Sequence, residues 1–102
     1  MRNKAEFEHL LRHGARRSVD GITFFLATRD AGGPRLGLLV TRKHAPNATD
    51  RNRLKRCIRE AFRLEQQALG PVDMLVRPPY GARGDARMLT RLRQALLTLS
   101  GR

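Results

Sequence analysis

The chain has 102 residues but no tryptophan, one tyrosine and one cysteine, and its 9 acidic side chains face 21 lysines and arginines. Each scarcity excludes something. With Cys57 alone no internal disulfide can form, so the fold must rest on a hydrophobic core, and a reducing cytoplasm is the expected compartment. No apolar run approaches the roughly 20 residues that cross a bilayer, so no membrane partner is expected. The N-terminal MRNKAEFEHLL carries acids and no apolar stretch of the signal-peptide kind, so no secretory leader is expected. No repeat or low-complexity tract interrupts the chain, and residues 1–102 read as one domain with a single modest core. The shortage of acids leaves a net charge of +12 and a pI near 11.7. Such a field favours polyanions through counterion release, and arginine's predominance over lysine suits bidentate phosphate contacts.

Local patterns give the elements. Asn3 and Glu6 have capping-box spacing, and Phe7, Leu10 and Leu11 continue a helix over about 3–13 that Gly14 ends. GITFFLAT, residues 21–28, predicts a strand with Ile22, Phe24 and Leu26 on one face and Thr23 and Phe25 on the other. DAGGP, residues 30–34, predicts a turn into a second strand, RLGLLVT, giving an antiparallel hairpin. Asn47 can cap a long helix reaching about Leu69, which Gly70-Pro71 stops. VDMLVR, residues 72–77, predicts a third strand, and Asp85 can cap a last helix bearing Met88, Leu89, Leu92, Leu96 and Leu99. The predicted order is α-β-β-α-β-α, a small α/β (α+β) two-layer sandwich with helices packed on a mixed sheet.

The densest charge lies in DRNRLKRCIREAFR, residues 50–63. On a helix, Leu54, Cys57, Ile58, Ala61 and Phe62 share one arc, while Asn52, Lys55, Arg56, Arg59 and Arg63 share the opposite one. Arg51 and Arg53 flank that stripe at the helix N-terminus, where the macrodipole makes cations locally unfavourable. A merely solvated face normally mixes signs. A membrane-surface helix would need its apolar arc free for lipid, whereas here the core needs it. Recognition of a nucleic acid fits the pattern better than either.

The same residues carry a family resemblance. Arg51-Asn52-Arg53-Leu54-Lys55-Arg56, followed by Arg59-Glu60-Ala61-Phe62-Arg63, resembles the RNR motif of the bacterial ribonuclease P protein subunit. Glu6-Phe7 with Leu11 and Gly14 is similar to that family's first helix, Arg35 to Lys43 to its second strand, and Asp73 to Arg77 to its third. The resemblance implies a left-handed β-α-β crossover and a partnership with a large catalytic RNA that removes the 5′ leader of precursor tRNA. It implies that Arg42, Lys43, Arg51, Asn52, Arg53, Lys55, Arg56, Arg59 and Arg63 face RNA. It also implies a leader-binding cleft containing Phe7, Leu11 and Phe25. The chain departs from the family pattern at Leu11, often aromatic, at Pro46, often glycine, and at Thr49, often valine.

The remaining chemistry-bearing residues give no protein catalyst. His9 and His13 have two-ligand spacing without an evident third ligand, His44 joins no acid–base constellation, and Cys57 reads as a small core residue. The resemblance implies Mg²⁺ held mainly by the RNA, with catalytic RNA and precursor tRNA as partners and no obligate protein partner. A structural RNA-binding module of the ribosomal-protein kind and a duplex-DNA binder using residues 50–63 are the competing readings.

Overall fold

The computed structural model describes residues 4–100. Its elements are α1 (Lys4–His13), β1 (Ala15–Val19), β2 (Ile22–Thr28), β3 (Arg35–Leu38), α2 (Ala48–Glu65), β4 (Val72–Arg77) and α3 (Ala86–Leu99). One mixed sheet runs β1-β2-β4-β3, with β1·β2 and β2·β4 antiparallel and β3·β4 parallel. The observed order is therefore α-β-β-β-α-β-α, one strand more than expected.

Two expectations are corrected. The hairpin is β1–β2, and the segment at 30–34 is a crossover, because β4 lies between β2 and β3. The reason is burial. Val72, Met74, Leu75 and Val76 are all buried, on both faces of β4, so this strand takes the centre of the sheet. The arginine-bearing strands β1 and β3 take the edges, where charge is tolerated and blunts edge pairing. Strand β1, ARRSV, escaped detection because only Val19 of its five residues is even partly buried, which leaves no apolar alternation to read. Its turn was nonetheless written in Asp20-Gly21: both have positive φ, 52° and 77°, as a two-residue hairpin of matching twist requires. The second strand also ends earlier than expected, at Leu38, although the Leu39 amide still donates to the Val76 carbonyl at 2.9 Å.

The alternating faces of β2 build two apolar clusters. Ile22 and Phe24, with Met74 and Val76 of β4, pack beneath Leu54, Ile58 and Ala61 of α2 and Met88, Leu92, Ala95 and Leu96 of α3. Phe25 and Leu75 point the other way and are covered by Leu10 of α1, with Phe7, Ala27 and Leu39 around them. Both long helices start as expected. Asn47 Oδ1 accepts from the amides of Thr49 (2.7 Å) and Asp50 (3.4 Å), and Asp85 Oδ1 accepts from that of Met88 (2.9 Å). Helix α2 stops at Glu65, and a 3-10 turn at Gln66–Ala68 completes the run towards Gly70. The proposed capping residue of α1, Asn3, lies outside the described residues.

Polar clamps orient α1 on the sheet. Arg35 grips Asp73 with Nε and Nη2, at 2.7 and 2.8 Å, and its Nη2 lies 3.1 Å from Glu6 Oε2 on α1. Arg29 adds a second guanidinium, with Nε 3.0 Å from Asp73 Oδ1. The hydrogen bonds from Arg35 hold the Asp73 carboxyl below the usual aspartate range, against the opposing effect of burial. Between the depressed folded value and the unfolded value near ~3.9, the unfolded chain binds more protons, so stability rises with pH across that window. Asp73 thus contributes its full stabilisation above about pH 4 and loses it as acid drives the pH down through the folded value. Urea unfolding should show Asp73→Asn less stable than the parent at pH 7, by about 1 kcal/mol. At pH 3 or below the gap should narrow.

Candidate nucleic-acid interface

Helix α2 presents its charge as the helical phase dictates. Leu54, Ile58 and Ala61 are buried, whereas Asn52, Arg53, Arg56, Arg59 and Arg63 are exposed and Lys55 is half-buried. Hydrogen bonding then divides the cations. Arg51 turns back, its Nη1 donating to the carbonyls of Ala45 (3.1 Å) and Pro46 (2.9 Å), so it fastens the turn that precedes the helix. Arg63 is engaged by Glu60 in a two-bond fork at 2.7 and 2.9 Å, which holds the exposed Glu60 carboxyl below its ordinary range. Arg53, Lys55, Arg56 and Arg59 make no ion pair among the described residues. The open positive edge is therefore Asn52, Arg53, Lys55, Arg56 and Arg59, shorter than the stripe read from sequence.

This edge is braced from behind. A Cβ built on Gly84 would lie 2.4 Å from the carbonyl carbon and oxygen of Arg53 and 2.6 Å from the Leu54 amide nitrogen. Only a residue without a side chain lets the loop before α3 press on the α2 backbone at the RNR turn. Beside it, the Cys57 thiol donates to the Asp85 carbonyl at 3.6 Å. Burial, helped by the nearby Asp85 charge, pushes that thiol up, which leaves it a packing residue rather than a reactive one.

A second surface lies between α1 and the sheet. Arg16, Phe25, Leu75 and Gly37 stand in one row across all four strands, and Ser18, Thr23 and Arg77 form the neighbouring row. Phe25 is 6% exposed beneath Leu10 and Phe7, and the guanidiniums of Arg16 and Arg77 lie 5.9 and 5.7 Å from its ring centroid. It is the floor of a cationic cleft rather than an open aromatic shelf. Phe7 is partly buried, and with Leu36, Leu38, Lys55 and Arg59 it lines a groove joining this surface to the basic face of α2. Leu11, at 37% exposure, stands on the outer side of α1. Arg16 and Arg77 were missed by sequence reasoning. The Val19-Asp20-Gly21-Ile22 hairpin signal would have placed Arg16 opposite Phe25, but pairing between β2 and β4 had no local signal.

Arg42 and Lys43 are exposed in the loop after β3 and share a groove with Leu39, Thr41, Arg77 and Tyr80. Arg53 lines an adjacent hollow with Pro46, Asp50 and Arg83, and the buried His44 forms part of both walls. Burial, then the Arg77 charge, lowers the His44 pKa, so this ring favours its neutral form. The rings of His9 and His13 lie 4.9 Å apart, yet among the described residues no group of three or more His, Cys, Asp and Glu side chains converges as metal ligands would.

A family model described as Ribonuclease P matches residues 1–100. The ribonuclease P protein component of Methylococcus capsulatus is 37% identical over 99 residues, covering 95% of this chain and 77% of that protein. The RNase P protein of Thermotoga maritima, solved in complex with 1-(4-fluorophenyl)-2-thiourea, superposes with a TM-score of 0.81 at 27% identity, covering 100% of this chain and 97% of its own. An RNase P protein mutant of Staphylococcus aureus with defective mRNA degradation activity reaches a TM-score of 0.84 at 22% identity, over 99% of this chain and 86% of that one, a likeness of fold.

The contact at Gly84 yields a direct test of the brace. Gly84→Ala should cost about 1–3 kcal/mol by overpacking and lower Tm by several degrees in a thermal melt. An unchanged Tm would mean that the loop does not bear on α2.

Proposed function

The chain belongs to the ribonuclease P protein family, and from that premise we propose that it binds the catalytic RNA through α2 and the single-stranded 5′ leader of precursor tRNA through the cleft beneath α1. The observation that carries this reading is the set of open cations on α2, running by way of Lys55, Arg59 and Phe7 into the cleft. Folded RNA is gripped largely through phosphates and 2′-hydroxyls, which an unpaired arginine edge supplies. Arginines already held in forks or turned inward, such as Arg63 and Arg51, contribute less to that grip and more to the shape of the helix.

In the cleft, Arg16 and Arg77 hold positive charge beside the Phe25 ring, which Leu10 of α1 packs against. Phosphates of an extended strand can follow the arginines while bases lie against Phe7 and the aliphatic wall, a combination suited to single strands of varied sequence. Ser18, Thr23 and Arg77 add hydroxyls and a guanidinium along one side. The protein's part is to bind, orient and neutralise charge.

Cleavage itself is assigned in this proposal to the RNA component. The chain's described residues do not converge into a set that fits Mg²⁺, so the ion is left to RNA phosphates and no step is derived through it. By neutralising phosphates, the α2 edge reduces the Mg²⁺ that the RNA needs to reach its active fold.

Binding to a bacterial ribonuclease P RNA, measured over a salt series, tests the interface. Arg53→Ala and Arg56→Ala should each weaken binding and flatten the plot of log K against log salt by about one unit. Charge reversal, Arg53→Glu or Arg56→Glu, should abolish precursor-tRNA cleavage at low Mg²⁺ and leave it recoverable at high Mg²⁺. Wild-type affinities and slopes for both arginine variants would sink the assignment of α2 as the RNA face.

A further inference from the structure

Tyr80 is the chain's one tyrosine and, among the described residues, the most exposed large apolar side chain, at 68% exposure, while its ring stacks on that of His44 with centroids 4.7 Å apart and planes 18° from parallel. An aromatic left this open on a well-supported base calls for an explanation. The support is built in several places. His44 is 4% exposed, and its Nδ1 accepts from the Thr41 amide at 2.9 Å, which fixes the ring's rotation. The Gly81 amide donates to the His44 carbonyl at 3.1 Å, tying the residue after Tyr80 to the residue beneath it. One face of the phenol ring is thus covered by a fixed imidazole and the other is free.

The surroundings are cationic. Tyr80 shares a groove of about 500 Å³ with Leu39, Thr41, Arg42, Lys43 and Arg77. No ion pair among the described residues engages Arg42, Lys43 or Arg77. Two of the lining residues also belong to the cleft beneath α1: the Arg77 guanidinium lies 5.7 Å from the Phe25 ring centroid, and Leu39 packs against the cluster of Leu10, Phe25 and Leu75. The groove is therefore a continuation of that cleft past Arg77, with the same charge and a single open ring at its far end. An open π-face flanked by phosphate-binding cations is how proteins hold single-stranded bases without sequence preference.

We propose that the Tyr80–His44 stack, flanked by Arg42, Lys43 and Arg77, is a nucleobase platform that holds one unpaired base of the precursor leader beyond the cleft. This rests on the reading of the cleft as the leader site, and it fixes how far the leader's path extends. Arg77 is the shared cation between the two subsites. The duplex parts of either RNA cannot use the platform, because their bases are stacked on one another.

The absence of tryptophan makes a direct test available, since Tyr80→Trp introduces the only indole in the chain. In the reconstituted holoenzyme, adding precursor tRNA with a long leader should quench that fluorescence saturably, and mature tRNA should not. In parallel, Tyr80→Ala should weaken holoenzyme binding of the long-leader precursor by about fivefold or more, the factor expected for one stacked base. Tyr80→Phe should bind as wild type, and truncating the leader to one nucleotide should erase the difference between the alanine variant and its parent. Tm and the affinity of Tyr80→Ala for ribonuclease P RNA alone are measured alongside. A precursor preference in wild type that Tyr80→Ala leaves intact, with no quenching of the indole, overturns the platform and spares the cleft. An affinity loss for the RNA alone equal to that for the precursor places the base in the catalytic RNA and also overturns the proposal. If wild-type holoenzyme binds precursor and mature tRNA alike, the cleft reading and the platform fall together.

Discussion

The whole arrangement depends on one strand being buried on both faces. Because Val72, Met74, Leu75 and Val76 of β4 all leave solvent, β4 has to sit between two other strands and beneath helices on both sides. Its neighbours are β2, antiparallel and itself buried on both faces over Ile22–Phe25, and β3, parallel. Strand alternation sends Phe24 and Val76 towards α2 and α3, and Phe25 and Leu75 towards α1. The basic helix and the cleft consequently lie on opposite faces of one sheet and meet around β3, where Phe7 of α1 comes near Lys55 and Arg59 of α2. Two cationic surfaces therefore flank one sheet, and the groove lined by Phe7, Lys55 and Arg59 connects them.

Charge is distributed with equal consequence. A chain with a net charge of +12 repels itself on folding, and the few acids are placed where they counter this repulsion and join elements. Asp73 and Glu6 tie α1 to β3 and β4 through Arg35, Asp20 receives Arg91 of α3 at 2.8 Å beneath the β1–β2 turn, and Glu65 of α2 receives Arg93 of α3 at 2.6 Å. Individually such pairs at the surface are weak. Their larger effect is selective: the arginines that shape the fold are engaged, while Arg53, Arg56 and Arg59 are left open on one edge. Separation of engaged from open arginines is what turns an overall basic composition into a directed surface.

Much of this was legible locally. The apolar arc of residues 54–62, the caps Asn47 and Asp85, and the opposed faces of Phe24 and Phe25 all follow from helical or strand periodicity, and each stands in the structure. The strand ARRSV was not legible from periodicity, because an exposed edge strand carries no apolar alternation; only its Asp20-Gly21 turn announced it. Nor could composition reveal that Arg51 turns back onto the carbonyls of Ala45 and Pro46, since nothing in its spacing separates it from Arg53.

The sequence by itself determined the three helices, the strands that carry apolar alternation and the sign of the surface charge, because these depend on residues within a turn or two of one another. Only the tertiary structure decided the strand order, the convergence of Arg16 and Arg77 on Phe25, and the stacking of Tyr80 on His44. Those outcomes depend on which distant segments share a buried interface, and that is set by the competition of all the apolar faces for one core rather than by any local pattern.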